Sequence, residues 1–199
     1  VTDVNGNSSN CNAQITVQDP IAPTAVCQNA TVSLNSLGNA SVTAAQINNN
    51  STDNCLVANT FVAPSLFNCT NIGANLVTLT VTDAAGHTAT CQSTVNVTDN
   101  LLPTAICKNA TVQLNASGQA SIAPNLINNN SSDNCSTPVL LVNPTTLTCL
   151  NLGVNTVVLM ATDNLGNTST CNANVTVQDP VSPVAVCQNI SISLNAGAA

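Results

Sequence analysis

Three features of the sequence predict an all-β fold, built as a tandem of disulfide-stapled sandwiches. The first is a strict internal period. Asp3, Asp83 and Asp163 follow one another at 83 − 3 and 163 − 83, both 80 residues; Cys11, Cys91 and Cys171 keep that step, as do Cys27, Cys107 and Cys187. A gapless period of this kind marks an array of similar units. The second is alternation: Val77, Leu79 and Val81 interleave with Thr78, Thr80 and Thr82, the period of two that a strand shows. The third is the cysteine frame, ten in 199 residues and four in each full period. Evenly numbered cysteines in a small unit, without Cys-x-x-Cys pairs or histidine partners, indicate disulfides in an oxidising compartment rather than zinc.

The period divides the chain into the end of a preceding repeat (1–19), two complete repeats (20–99 and 100–179) and the start of another (180–199). The sequence therefore reads as a window on a longer array. It shows no leader peptide or apolar span, which in a window carries no information about targeting.

Within one repeat, Pro20 and Pro23 keep the opening extended. Residues 24–35, rich in β-branched side chains, predict a first strand. A turn at Gly38 leads to a second strand over 40–43, which cannot run far because Ala44 is matched by Pro124. The polar stretch INNNSTDNC, matched by INNNSSDNC, predicts a loop whose Asn and Asp side chains make its turns. A third strand follows over 57–62, stopped by Pro64; a short strand or turn then leads to Cys69, and Gly73 ends the next turn. The alternating strand covers 76–82, a turn carries Gly86, and the last strand runs over 90–98 with Cys91, Ser93, Val95 and Val97 on one face. No useful helical period is present. Six or seven short strands with turns every 8 to 12 residues predict an immunoglobulin-type sandwich. Its core must be aliphatic, because Phe61 and Phe67 are the only aromatics and both are matched by leucine, Leu141 and Leu147. With no tryptophan, the antibody subclass is excluded.

Four cysteines allow three pairings. In such a sandwich part of the first strand runs parallel to the last, which favours Cys27–Cys91 and Cys107–Cys171. That leaves Cys55–Cys69 and Cys135–Cys149, each closing a short loop. The rival Cys91–Cys107 fails on distance, because a strand from Cys91 to Asp99 travels more than about 20 Å and a disulfide spans at most about 7 Å between Cα atoms. Cys27 is out of phase with Val26, Val32 and Leu34, so a bulge or edge position is expected there.

One basic residue, Lys108, faces eight acids, all aspartate, for a net charge of −7. Nucleic acid and anionic membrane surfaces both require basic clusters, so neither is an expected partner. The acids occupy three repeat positions. In the sandwich just described Asp19, Asp53 and Asp83 lie at one end, and so do Asp99, Asp133 and Asp163. Two readings stand: three converging carboxylates form a hard-ligand set of the kind calcium takes, or each aspartate caps its own turn. His87, near Asp83 and Ser93, is matched by Asn7 and Asn167, and Lys108 by Gln28 and Gln188; both read as plain surface residues. No triad, paired glutamate or phosphate loop is present, so no catalytic residue is expected and the segment reads as non-enzymatic.

An Asp-x-x-Gly-Asn/His turn, a cysteine strand ending in Val-x-Asp, a proline-bearing lead to Val/Ile-Cys and the Ser-x-Asp-Asn-Cys loop together resemble the hyalin repeat in its bacterial form. The composition is similar to repeats of giant Bacteroidota surface proteins, the SprB-type gliding adhesins among them. The resemblance implies an immunoglobulin-like extracellular module carried in tandem at the cell surface. The expected role is mechanical: a stalk or filament that extends and presents distal parts in adhesion or gliding, each repeat touching its neighbours in the chain and advancing roughly 35–45 Å. The alternatives are a subunit of a laterally assembled fibre made of several copies, and a polysaccharide-binding module. The latter would call for aromatic or varied loops, which the near-identical loops here lack.

Overall fold

In a computed structural model the chain divides into two compact units, Val1–Leu101 and Leu102–Ala199. The structure describes residues 1–193; residues 194–199, the last of the stretch expected to start a further repeat, lie outside the described residues.

The first unit places β1 (Ala30–Ser33), β2 (Asn39–Ser41), α1 (Ala44–Ile47), β3 (Val57–Ala63), β4 (Leu66–Asn68), β5 (Gly73–Asp83) and β6 (Thr88–Thr98) in chain order. The second repeats the series as β7 (Ala110–Gln113), β8 (Gln119–Ser121), α2 (Pro124–Ile127), β9 (Val139–Asn143), β10 (Thr146–Thr148), β11 (Gly153–Thr162) and β12 (Thr168–Gln178). Each unit is an immunoglobulin-like β-sandwich. A four-stranded sheet runs β1-β6-β5-β3 or β7-β12-β11-β9, opposed by a two-stranded sheet of β2 and β4 or β8 and β10.

Alternation places the core. On β5, Val77, Leu79 and Val81 are buried and Thr78, Thr80 and Thr82 half-buried on the other face; Val95 and Val97 continue the apolar face on β6. In the second unit Val157 and Leu159 (β11) with Ala173, Val175 and Val177 (β12) pack in one cluster with Ala120 and Leu147 of the small sheet. The two aromatics separate: Phe67 is buried, whereas Phe61, on edge strand β3, is exposed. Leu147 and Leu141 divide in the same way.

The first strand is shorter than expected. Residues 24–29 make only isolated bridges, Thr24 to Thr52 and Cys27 to Asn48, before β1 begins at Ala30. From there β1 runs parallel to β6, Ala30 opposite Val95. Ahead of it the Asn29 side chain stands in for the ladder, its Oδ1 accepting from the Thr94 amide at 2.9 Å, and Asn109 does the same for Asn174. This break accommodates the phase slip at Cys27. The Cys27–Cys91 and Cys107–Cys171 disulfides close here, with Cα–Cα distances of 5.9 and 5.8 Å. Each bridges residues 64 apart in sequence. On the chain-entropy account such a crosslink stabilises by about 4 kcal/mol.

Two short elements differ from expectation. α1 and α2 are single helical turns, too brief for any helical period to register. Their signals are local: Thr43 and Gln46 form a reciprocal capping box, and Pro124 sits in the first turn of α2, where a proline loses no hydrogen bond. Pro124 thus starts a helix as well as ending a strand.

The other expected disulfides, Cys55–Cys69 and Cys135–Cys149, do not form. Cys55 and Cys149 are free thiols, while Cys69 and Cys135 are disulfide-bonded. Between Cys55 and Cys69 the chain passes through β3, whose seven residues carry it about 23 Å. The two sulfurs end in different places, Cys55 beside Asn54 and Cys69 against the Gly38 carbonyl. Closeness in sequence is not closeness in space when a strand intervenes.

The core assignment makes a direct prediction. Leu159→Ala should cost about 2–5 kcal/mol of unfolding free energy, and Leu141→Ala about 0.5 kcal/mol or less, both read by urea unfolding of the disulfide-intact protein.

Candidate functional site

The aspartates build their surroundings from the backbone outward. At the β5–β6 turn the Asp83 Oδ1 accepts from the His87 amide at 2.8 Å, and its Oδ2 lies 2.9 Å from His87 Nδ1. The equivalent turn in the second unit has the same wiring: Asp163 Oδ1 accepts from the Leu165 and Asn167 amides at 2.9 and 2.8 Å, and Asn167 Nδ2 donates to Oδ2 at 2.8 Å. Asp3 and Asn7 repeat it at 2.8 and 2.9 Å. The imidazole Nδ1 of His87 thus takes the place of an asparagine Nδ2. Ser93 is committed elsewhere, its Oγ within 2.5 Å of the Gln28 carbonyl, so His87 and Ser93 do not form a catalytic pair. Gly86 and Gly166 hold the positive φ that this turn requires, +97° and +89°.

In the loops after α1 and α2, Asn50 adopts φ 57° and Asn130 φ 61°, the left-handed conformation that asparagine tolerates better than most residues. The Asp53 Oδ2 accepts from the Cys55 and Leu56 amides at 2.9 and 3.1 Å; Asp133 Oδ2 does so from Cys135 and Ser136 at 3.1 and 3.2 Å. The second oxygen of each is different. Asp53 Oδ1 and Asp133 Oδ1 are buried and meet no donor among the described residues. A buried carboxylate oxygen without a partner is rare and needs an explanation.

In the first unit the three acids come together. Asp19, Asp53 and Asp83 each offer an oxygen within 4.8 Å of the others. Asp19 is held there by Asn54 Nδ2 at 3.1 Å and by the Ile21 amide at 3.1 Å. Asp99 closes the first unit, buried, its Oδ1 accepting from the Leu101 amide at 3.2 Å. Asp133 and Asp163 belong to the second unit, in the local bonds already described. Both turn-capping and convergence, the two readings of the sequence, therefore describe Asp83: one carboxylate does both.

The hydrogen bonds set the carboxyl pKa values. Burial would raise Asp83 and Asp163, but the turn donors outweigh it and hold both below the ordinary 3.8. The Ile21 amide and the Asn54 side chain lower Asp19. Its carboxylate in turn pushes the neighbouring Cys55 thiol up. The missed participants in this region are Asn54 and the Asn48–Ser51 pair, in which Asn48 Oδ1 accepts from the Ser51 hydroxyl at 2.6 Å; their signal was the Asn-rich loop itself.

No protein-family description matches the chain, and no curated protein matches it. Solved structures do. Extracellular cadherin domains 1–4 of protocadherin gamma B7 align over 79% of this chain and 51% of that chain, at 13% identity and TM-score 0.36. Drosophila N-cadherin EC1-4 aligns over 79% and 50%, at 11% identity and TM-score 0.41. Fibronectin(III)-like modules of Clostridium thermocellum CbhA align over 87% and 99%, at 14% identity and TM-score 0.30. The chain spans about half the length of the two cadherin chains.

Because the folded pKa of Asp83 and Asp163 lies below 3.8, the unfolded chain binds these protons more readily. The stability they lend is fully present above the unfolded value and is lost as pH falls through the folded one. The melting temperature in metal-free buffer should hold steady above about pH 5 and drop below about pH 4. Asp163→Asn should shrink that drop. His87→Asn should leave the neutral-pH melting temperature unchanged, because asparagine already performs this role at Asn7 and Asn167.

Proposed function

We propose that this chain is a structural segment of a long extracellular surface filament or adhesin stalk, built from hyalin-type repeats, whose work is to extend and present distal parts. The observation that carries the reading is that the two units share the Asp turn, the Asn29 and Asn109 clamps and the stapled first segment, while the chain carries little charge and its loops nearly repeat. In an array of near-identical modules each unit touches its neighbours, so added units add length. Disulfides of this kind suit an oxidising compartment, which supports the reading. No helix of the described residues is long and apolar enough to cross a membrane. The resemblance of the turn, linker and cysteine frame to bacterial hyalin repeats extends the reading to a bacterial surface and to adhesion or gliding. Its partners are then neighbouring repeats of the same chain.

Calcium belongs to the same proposal. Three carboxylates within 4.8 Å repel one another unless a cation lies among them. The donorless Asp53 Oδ1 is the oxygen such an ion would take. Oxygen-only ligands suit calcium, and Asp19, Asp53 and Asp83 would hold it. The repeat supplies the same acids again at Asp99, Asp133 and Asp163.

Cryo-electron microscopy of native material tests the array. The expected image is a beaded thread with an axial repeat near 35–45 Å, the length a strand of about nine residues plus a joint covers. A thick filament with several chains in cross-section would instead make the repeat the subunit of a laterally packed fibre, joined through uncharged outer faces such as Thr78, Thr80, Thr90 and Gln92. For calcium, a chelator should lower the melting temperature of the two-repeat protein and added calcium restore it. Asp53→Asn should abolish the response without changing the chelated value. An unchanged melting temperature withdraws the ion and leaves the aspartates as turn residues.

A further inference from the structure

We infer that Cys55 and Cys149 are the two halves of a staple between repeats, each forming a disulfide with a cysteine of a flanking repeat beyond residues 1–199. The inference rests on the reading of the chain as part of a longer tandem array. It begins from a mismatch between equivalent residues. Cys55 occupies the repeat position of Cys135, and Cys149 that of Cys69, yet Cys135 and Cys69 are disulfide-bonded while Cys55 and Cys149 are free and exposed.

The local seats are the same whether the thiol is bonded or free. Asn54 Nδ2 lies 3.4 Å from the Cys55 sulfur, and Asn134 Nδ2 lies 3.4 Å from the Cys135 sulfur. The amide of each cysteine donates to the preceding aspartate, at 2.9 Å for Cys55 and 3.1 Å for Cys135. The Cys69 sulfur rests 3.7 Å from the Gly38 carbonyl oxygen and the Cys149 sulfur 3.6 Å from that of Gly118. Gly118 is shaped for that sulfur: a Cβ there would stand 2.7 Å from it. The free thiols are thus held as their bonded equivalents are, lacking a partner rather than a geometry.

That partner is not in the same repeat. Around Cys55, Cys27 and Cys91 are bonded to each other and Cys69 is bonded. Around Cys149, Cys107 and Cys171 are bonded to each other and Cys135 is bonded. Every cysteine of its own repeat is therefore spoken for. The other two free thiols have a simpler account. Cys11 and Cys187 hold the repeat positions of Cys91 and Cys107, which bond to cysteines 64 residues away, a step that brings neither Cys11 nor Cys187 to a cysteine of residues 1–199. The pairing assigned to Cys55 and Cys149 joins unlike positions, a Cys55-type loop to a Cys149-type turn, so it propagates along an array in one direction.

The bond forms by thiol–disulfide exchange with a small-molecule disulfide as oxidant. One cysteine thiolate attacks a sulfur of the oxidant, forming a mixed disulfide as the oxidant's S–S bond breaks and one half of it leaves as a thiolate. The second cysteine then attacks the mixed disulfide and expels the other half. Two protein thiols lose two electrons and two protons, and one oxidant disulfide becomes two thiols.

Disulfide mapping of the full-length protein tests this. Native protein isolated without reductant is denatured, alkylated with iodoacetamide, cleaved and mapped by mass spectrometry. Cys55 and Cys149 should escape alkylation, each recovered crosslinked to a peptide from another repeat, while in the isolated 199-residue chain both are alkylated. Cys55→Ser in the full-length protein should leave one new alkylatable thiol, and its mass names the partner. Alkylation of Cys55 or Cys149 in the native protein, a crosslink within its own repeat, or no new thiol in the variant overturns the inference. Alkylation found in material that still shows beaded threads removes the staple and leaves the array standing.

Discussion

Each unit depends on the fastening of its first segment to its last strand. A module of this size with a core of valine, leucine and isoleucine buries too little to be secure by packing alone. The parallel pairing of β1 on β6 closes the long sheet, and the Cys27–Cys91 crosslink holds the ends of most of the repeat together. The hairpin β5–β6 is the one long antiparallel contact, and everything else folds around it: β3 on its free edge, and β2 and β4 across the core. Tying the first segment to this hairpin removes conformational freedom from the unfolded chain where a small core needs help.

Charge is used with similar economy. Nearly all the formal charge is aspartate, and Asp3, Asp19, Asp83 and Asp163 lie below the ordinary carboxyl value because backbone amides and an asparagine side chain, or at Asp83 the His87 ring, point at them. These carboxylates act first as organisers of turns. Asp19, Asp53 and Asp83 also bring one oxygen each to within 4.8 Å of the others, so the side chains that organise the turns are the ones that converge. In the other copies an asparagine stands where His87 does, and its side-chain nitrogen reaches the aspartate as the ring nitrogen does.

Much of the fold was legible because its determinants are local. The alternation of β5, the Asp-Gly turns and the apolar face of β6 can each be read from a few neighbouring residues. The Cys27–Cys91 pairing was reachable too, since it follows from which strands of such a sandwich run parallel. The destinations of Cys55 and Cys69 were not. They are 14 residues apart in sequence; the strand between them was legible over 57–62, but whether the chain after Pro64 returns to bring the two cysteines together is decided by the fold, which sets them in different places. Nor did the sequence distinguish an aspartate that only caps a turn from one that also converges with two others, because convergence depends on segments more than 30 residues apart, as Asp19 and Asn54 illustrate.

One comparison inside the chain separates the two levels. Residues 11–19, CNAQITVQD, differ from residues 171–179, CNANVTVQD, at two positions. The turn before each forms, Asp3 to Asn7 and Asp163 to Asn167, with the same hydrogen bonds. Yet 168–178 is strand β12, paired with β11 and β7, whereas 11–19 has no assigned strand. The turn is determined by sequence alone, because its donors and acceptors lie within four residues of each other. The strand is decided by tertiary structure, because its hydrogen-bond partners and its apolar face are supplied by segments elsewhere in the chain.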